Sequence, residues 1–177
     1  GQDAVGIMPT GAGKSVCYQI PAMVMEGTTL VVSPLISLMK DQVDALNQMG
    51  IPAALINSTL TAKEIRECFE QMAEGTYKIV YVAPERLESP QFIERISSLS
   101  IPLIAVDEAH CVSQWGHDFR PSYLSISRLL EHIHPRPVVA AFTATATNQV
   151  KMDVIDRMRM LEPVEVTTGY ERSNLTF

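Results

Sequence analysis

Short apolar runs alternate with longer amphipathic segments along the whole chain. The runs Ala4–Met8, Leu30–Ser33, Ala53–Ile56, Ile79–Val82, Leu103–Val106, Val138–Phe142 and Val164–Thr167 predict strands. Several are continuous in Val, Ile, Leu and Ala rather than alternating, as strands buried on both faces of a parallel sheet are. Between them, Lys14–Met25, Leu35–Met49, Ala62–Gly75, Gln91–Leu99, Tyr123–Ile133 and Asn148–Leu161 have helical length and spacing. The order βαβαβα predicts an α/β fold: a doubly wound, mostly parallel sheet with helices on both faces.

The punctuation agrees. Gly27, Gly50 and Gly75 follow helix ends, where a left-handed residue is wanted. Thr61 with Glu64 three residues later reads as a capping box. Pro34 and Pro84 open the segments after two strands, and Pro21 is expected to kink the first helix. His132 and His134 read as a solvated helix end, Glu64–Glu67 as a solvent face, and most of the methionines as core filler.

The chain's 177 residues suit one domain, and its 46% hydrophobic and 19% charged residues exclude a mainly disordered chain. Fourteen basic against twenty acidic side chains give a net charge of −6. That opposes sequence-blind binding to polyanions or to anionic membranes, and leaves room for a local phosphate or nucleic-acid site. The longest charge-free run, Ala45–Ala62, contains Gly50 and Pro52 and is no membrane span, so no membrane partner is expected. Cys17, Cys68 and Cys111 are far apart and without a C-x-x-C pair, which favours a reducing compartment over a disulfide framework or zinc site.

Met8-Pro9-Thr10-Gly11-Ala12-Gly13-Lys14-Ser15 follows a strand and opens a helix, the context of a phosphate loop. Small residues let the backbone N–H groups wrap a phosphate, Lys14 supplies a point charge, and the Ser15 hydroxyl is placed for Mg²⁺. Met8 stands where the strict pattern has glycine. The same residues would also suit a glycine-rich turn with an incidental lysine. A second strand ends in Asp107-Glu108-Ala109-His110. Strand ends of this kind bind ligands in parallel sheets, so Asp107 is the candidate Mg²⁺ ligand and Glu108 the candidate base for a water. On its own, Asp-Glu could equally cap the next helix.

These motifs resemble motifs I and II of superfamily 2 helicases, and the chain as a whole resembles the first RecA-like domain of RecQ-family DNA helicases. Val31–Gln42 resembles motif Ia, Val82–Leu87 the next DNA-side motif, and Phe142–Ala146 motif III. A methionine at position 8 is usual in that family. Cys111–Pro121, which holds the only tryptophan, resembles its aromatic-rich loop. The resemblance implies an ATP-dependent DNA helicase with ATP and Mg²⁺ as cofactors. It would move 3′ to 5′ on single-stranded DNA, open partly duplex DNA, and serve repair or recombination in a bacterial cytoplasm or a nucleus.

By residue, the resemblance places Pro9, Thr10, Gly11, Ala12, Gly13, Lys14 and Ser15 at the nucleotide. Lys14, Asp107 and Glu108 do the chemistry, and His110, Thr143 and Thr145 couple nucleotide to DNA. Gln114, Trp115, His117, Phe119, Arg120, Ser33, Pro34 and Arg86 fall on the DNA side. The aromatic loop also reads this way from its residues, since Trp and Phe faces stack on bases while Arg meets phosphate. Trp115 and Phe119 could instead be core anchors. An RNA helicase is opposed by this loop, a non-hydrolysing binding module by the intact Lys14, Asp107 and Glu108, and a P-loop kinase by the lack of an acceptor lid.

The resemblance further implies an adenine-reading motif upstream, a second RecA-like domain supplying arginines, and zinc-binding and winged-helix regions. None is found in this sequence, so residues 1–168 are expected to be one ATP-binding domain and 169–177 the start of a connector. Alone they should hydrolyse ATP poorly.

Overall fold

The computed structural model describes residues 1–168. Seven strands, β1 (Ala4–Ile7), β2 (Thr29–Val32), β3 (Ala53–Ile56), β4 (Ile79–Val82), β5 (Leu103–Val106), β6 (Val138–Thr143) and β7 (Val164–Thr167), form one sheet. Its order is β3-β4-β2-β5-β6-β1-β7, and every pairing is parallel. The helices are α1 (Lys14–Val24), α2 (Ile36–Gln48), α3 (Ala62–Ala73), α4 (Pro90–Ser97), α5 (Ser125–His132) and α6 (Asn148–Arg157). The expected doubly wound α/β architecture is what forms. The connector expected over 169–177 lies outside the described residues.

Alternation along the central strands divides the core into two layers. In β4, Val80 and Val82 pack with Phe69 of α3, Phe92 of α4, Leu129 of α5 and Val154 of α6. Ile79 and Tyr81 of the same strand pack on the other face with Tyr18 and Ala22 of α1 and Met39, Val43 and Leu46 of α2. β5 splits likewise, Ile104 and Val106 to one layer and Leu103 and Ala105 to the other. β2, β4 and β5 are therefore buried at every position, which explains why their sequences are apolar without alternation.

Local signals hold where they are chemical. Gly27, Gly50 and Gly75 take positive φ, and Thr61 and Glu64 form the capping box. Pro21 does not end α1, which runs on to Val24. Met39, Met72, Met158 and Met160 are buried and Met8 and Met25 pack against the core, while Met23, Met49 and Met152 are exposed. Among the described residues no helix is long and apolar enough to cross a membrane.

Asp3 ties the opposite edge of the sheet together. It is 2% exposed and accepts hydrogen bonds from the backbone N–H groups of Val139 and Leu161, both at 2.8 Å. Arg136 reaches both of its oxygens, at 3.1 and 2.7 Å. Burial pushes this carboxyl up, but Arg136 and the two amides outweigh it and hold it below the ordinary 3.8. A carboxyl lowered by folding binds fewer protons when folded. Its contribution is complete above the unfolded value and lost as pH falls through the folded one. Asp3→Ala should cost about 3 kcal/mol near neutral pH, since it orphans a paired arginine and two amides. Denaturant melts should also show a shallower loss of stability below about pH 4 in the variant than in wild type.

Candidate functional site

The C-terminal ends of β2, β5, β6 and β1 lie side by side, because these four strands are consecutive in the sheet. Each delivers one part of the site. After β1, the Met8 N–H donates to the Thr143 carbonyl at 2.9 Å, and the chain turns through Pro9–Ala12 with an Ala12 N–H to Pro9 carbonyl bond of 3.1 Å. Gly11 and Gly13 have φ of 84° and 83°. An added Cβ would meet nothing at either, so it is the left-handed backbone and not space that requires glycine. Gly13 caps α1 without a side-chain hydrogen bond, and no acidic residue occupies the first turn. The helix thus turns its positive end to the cavity without an internal counter-charge. Lys14 Nζ rests on the Met8 carbonyl at 3.3 Å, and this backbone contact needs no glycine at position 8.

β5 delivers the carboxylates. Asp107 is 8% exposed, its N–H donates to the Val32 carbonyl at 2.9 Å, and its Oδ1 accepts from the Glu108 N–H at 3.0 Å. Burial, and then the neighbouring Glu108, push its carboxyl above the ordinary range, with the Lys14 charge opposing them. Glu108 takes a left-handed backbone, φ 48° and ψ 45°, at a cost of about 1–2 kcal/mol for a residue with a Cβ.

β6 brings up Thr143. Its hydroxyl donates to the Thr145 carbonyl at 3.1 Å, so its oxygen must accept the 2.8 Å bond from His110 Nδ1. The same nitrogen lies 3.4 Å from a Glu108 carboxylate oxygen. Burial lowers the His110 pKa and keeps the ring neutral, and His117 and Arg120 add to this. The Glu108–His110–Thr143–Thr145 chain is continuous in the folded protein.

The aromatic-rich loop grows from the same turn. A single-turn helix over Ala109–Val112 is followed by Ser113 N–H to His110 O, Gly116 N–H to Ser113 O and Arg120 N–H to Cys111 O. The His117 ring stacks on His110 with centroids 4.2 Å apart. Ser113 Oγ donates to Asp153 of α6 at 2.8 Å, and Arg120 pairs with Asp118 at 2.9 Å. Trp115 is 72% exposed, whereas Phe119 and Arg120 are half-buried. Exposure of Trp115 excludes the core-anchor alternative for that ring.

Two adjoining cavities result. One, of about 290 Å³, is lined by Gly11, Lys14, Ser15, Asp107 and Glu108 among others. The other, of about 510 Å³, is lined by Pro34, Glu108, His110, His117 and Thr145. Thr10 and Glu108 border both. Ser33 departs from the expected DNA side: it is 2% exposed and lines the phosphate-loop cavity, because it continues β2 inward. Arg86 is also diverted, its Nε donating to the Asn57 carbonyl at 2.9 Å. Gln114 and His117 are exposed at the loop.

Some contributors escaped the sequence reading. Tyr123 is fully buried and donates its hydroxyl to the Asp107 carbonyl at 2.9 Å. Tyr81, almost fully buried, lines the phosphate-loop cavity. The available signal was a phenol inside an otherwise aliphatic strand, Ile79-Val80-Tyr81-Val82.

A family model described as DEAD/DEAH box helicase matches residues 1–153. The chain belongs to the DEAD/DEAH box helicases. It is 55% identical over 176 residues to the ATP-dependent DNA helicase RecQ of Bacillus subtilis, covering 99% of this chain and 30% of that protein. To RecQ of Pasteurella multocida it is 44% identical over 177 residues, covering 100% of this chain and 28% of that protein. The helicase domain thus spans under a third of the length of these relatives. The Hef helicase domain of Pyrococcus furiosus matches it with a TM-score of 0.70 at 20% identity, over 94% of this chain and 35% of that one. That likeness speaks for the fold.

Gly116 tests the stem of the loop. A Cβ there would lie 2.5 Å from the His110 carbonyl and 3.2 Å from that of Ser113, both backbone atoms. Gly116→Ala should therefore destabilise the helicase domain by about 1–3 kcal/mol, the usual cost of overpacking. Its sole tryptophan should stay accessible to iodide quenching, since the stem moves and the tip is already in water.

Proposed function

We propose that this domain is the ATP-binding half of the motor of a DNA helicase, which steps 3′ to 5′ along single-stranded DNA and opens duplex during repair or recombination. The observation that carries this reading is the stack of His117 on His110, which fastens the exposed Trp115 loop to the carboxylate turn. The similarity to proteins named RecQ DNA helicases supports DNA over RNA.

The chemistry follows from the residues. The Gly11–Ser15 amides and Lys14 bind the phosphates and orient the γ-phosphoryl group. The donor set suits Mg²⁺. Asp107 is a buried carboxylate beside a second one, a pairing that a cation relieves. Among the described residues no three side chains could hold a metal by themselves, and none is needed where one hydroxyl, one carboxylate, phosphates and water complete an octahedron. Ser15 and Asp107 would hold the ion, which when bound neutralises charge on the phosphates. Glu108 takes the proton of the attacking water, and His110 holds that carboxylate on the side of Thr143 and Thr145. A base stacked on Trp115 shifts His117, and through His110 the set of Glu108. A second RecA-like domain, joined through 169–177, completes the γ-phosphate side.

Two measurements on the complete helicase test this. Glu108→Gln should retain ATP binding yet lose at least about 10²-fold in turnover, because an amide cannot accept the proton; near wild-type turnover would remove the assignment. Trp115→Ala should leave the melting temperature nearly unchanged and lower the ATPase stimulated by single-stranded DNA far more than the DNA-free rate, a stacked base contributing about 1–3 kcal/mol. Equal stimulation by RNA and DNA in the wild type would favour an RNA motor instead.

A further inference from the structure

Ser33 carries a hydroxyl that the phosphate, carboxylate and DNA roles leave unused. Its Oγ is buried and has no hydrogen-bond partner among the described residues. Such a group is unfavourable unless a ligand or water completes it. Strand pairing fixes what it faces. Val32 is in register with Val106, and the Asp107 N–H continues the ladder to the Val32 carbonyl. Ser33 and Asp107 are therefore the next residues along adjacent strands, about 4.8 Å apart across the sheet. Alternation puts both on the face of Val31, Ala105 and Tyr81, the side covered by α1 and α2. Both line the cavity that also holds Lys14 and Ser15.

The wall beside Ser33 is polar as well. The Tyr81 hydroxyl accepts from Gln19 Nε2 at 3.2 Å and lies 3.4 Å from the Tyr18 hydroxyl. Gln19 also donates to Gln42 at 2.8 Å, and Gln42 and Tyr81 both border the cavity. Mg²⁺ gives up its water reluctantly and keeps several waters when bound through one carboxylate and phosphates. Those waters need partners on the side away from the nucleotide. Ser33 stands beside the candidate metal carboxylate and is itself 2% exposed.

We propose that Ser33 is a positioning residue for the metal: its Oγ accepts a hydrogen bond from a water of the Mg²⁺ that accompanies the nucleotide. This rests on the nucleotide reading above. The same water shell would lie against the polar wall of Tyr81 and Gln42, which stands with Ser33 on the β2–β4 side of Asp107.

The test uses the complete helicase as wild type, Ser33→Ala and Ser33→Cys, with Mn²⁺ as the spectroscopic probe and ADP as nucleotide. ADP affinity in EDTA should be the same in all three. The Mn²⁺ dissociation constant at saturating ADP, read by electron paramagnetic resonance, should rise roughly two- to tenfold in Ser33→Ala, the range for one lost hydrogen bond. Ser33→Cys should rise as well, sulfur being a weak acceptor. The metal-free melting temperature should stay level or increase, since an orphaned hydroxyl is removed. Wild-type Mn²⁺ affinity in either variant would overturn the Ser33 assignment alone. A wild type that binds no Mn²⁺ with ADP would overturn the nucleotide reading beneath it.

Discussion

Asp107 closes a strand that is buried at every position with a carboxylate that is 8% exposed and stands next to a second acid. Withdrawing that charge from water is unfavourable, and the surroundings of β5 are organised to hold it. One oxygen takes the Glu108 N–H, the backbone on either side is fixed by Val32 and Tyr123, and the cationic Lys14 lies close enough to oppose the rise in pKa. At the next residue the backbone turns left-handed, and the Glu108 carboxylate comes within 3.4 Å of His110. Everything from His110 to Arg120 is built outward from that turn.

The four strands that meet here have different neighbours in sequence. β1 and β6 are more than a hundred residues apart, yet the Thr143 carbonyl receives the first N–H after β1 and the Thr143 hydroxyl receives His110. One threonine thus touches the phosphate loop through its backbone and the carboxylate turn through its side chain. Nucleotide-dependent movement of either would be felt by the other without any flexible link between them.

Much of this was legible in the chain. Unbroken Val-Ile-Ala runs gave away strands covered on both faces, and the glycines of the phosphate loop stand where φ must be positive. Helix ends were less visible. α6 stops at Arg157, four residues before the expected end, because Arg159 turns left-handed and Met160 is drawn into the core. α5 begins at Ser125, since Pro121–Leu124 wind into a tighter turn that points the Tyr123 hydroxyl at Asp107. The burial of Ser33 beside Asp107 was hidden in the sequence for a related reason. A side chain's direction beyond a strand depends on pairing with a strand seventy residues away, and local pattern does not carry that information.

The loop that bears Trp115 combines a bolted stem with an open tip. Ser113 is tied to Asp153, which in turn is paired with Arg157, and Gly116 lies directly beneath the His110 carbonyl, while the indole itself is in water. Most of the conformational entropy of the segment is already surrendered on folding, so a base arriving at the ring has little left to order. In the proposed motor, such a preorganised finger would grip and let go quickly, as a contact made and broken once per step would require.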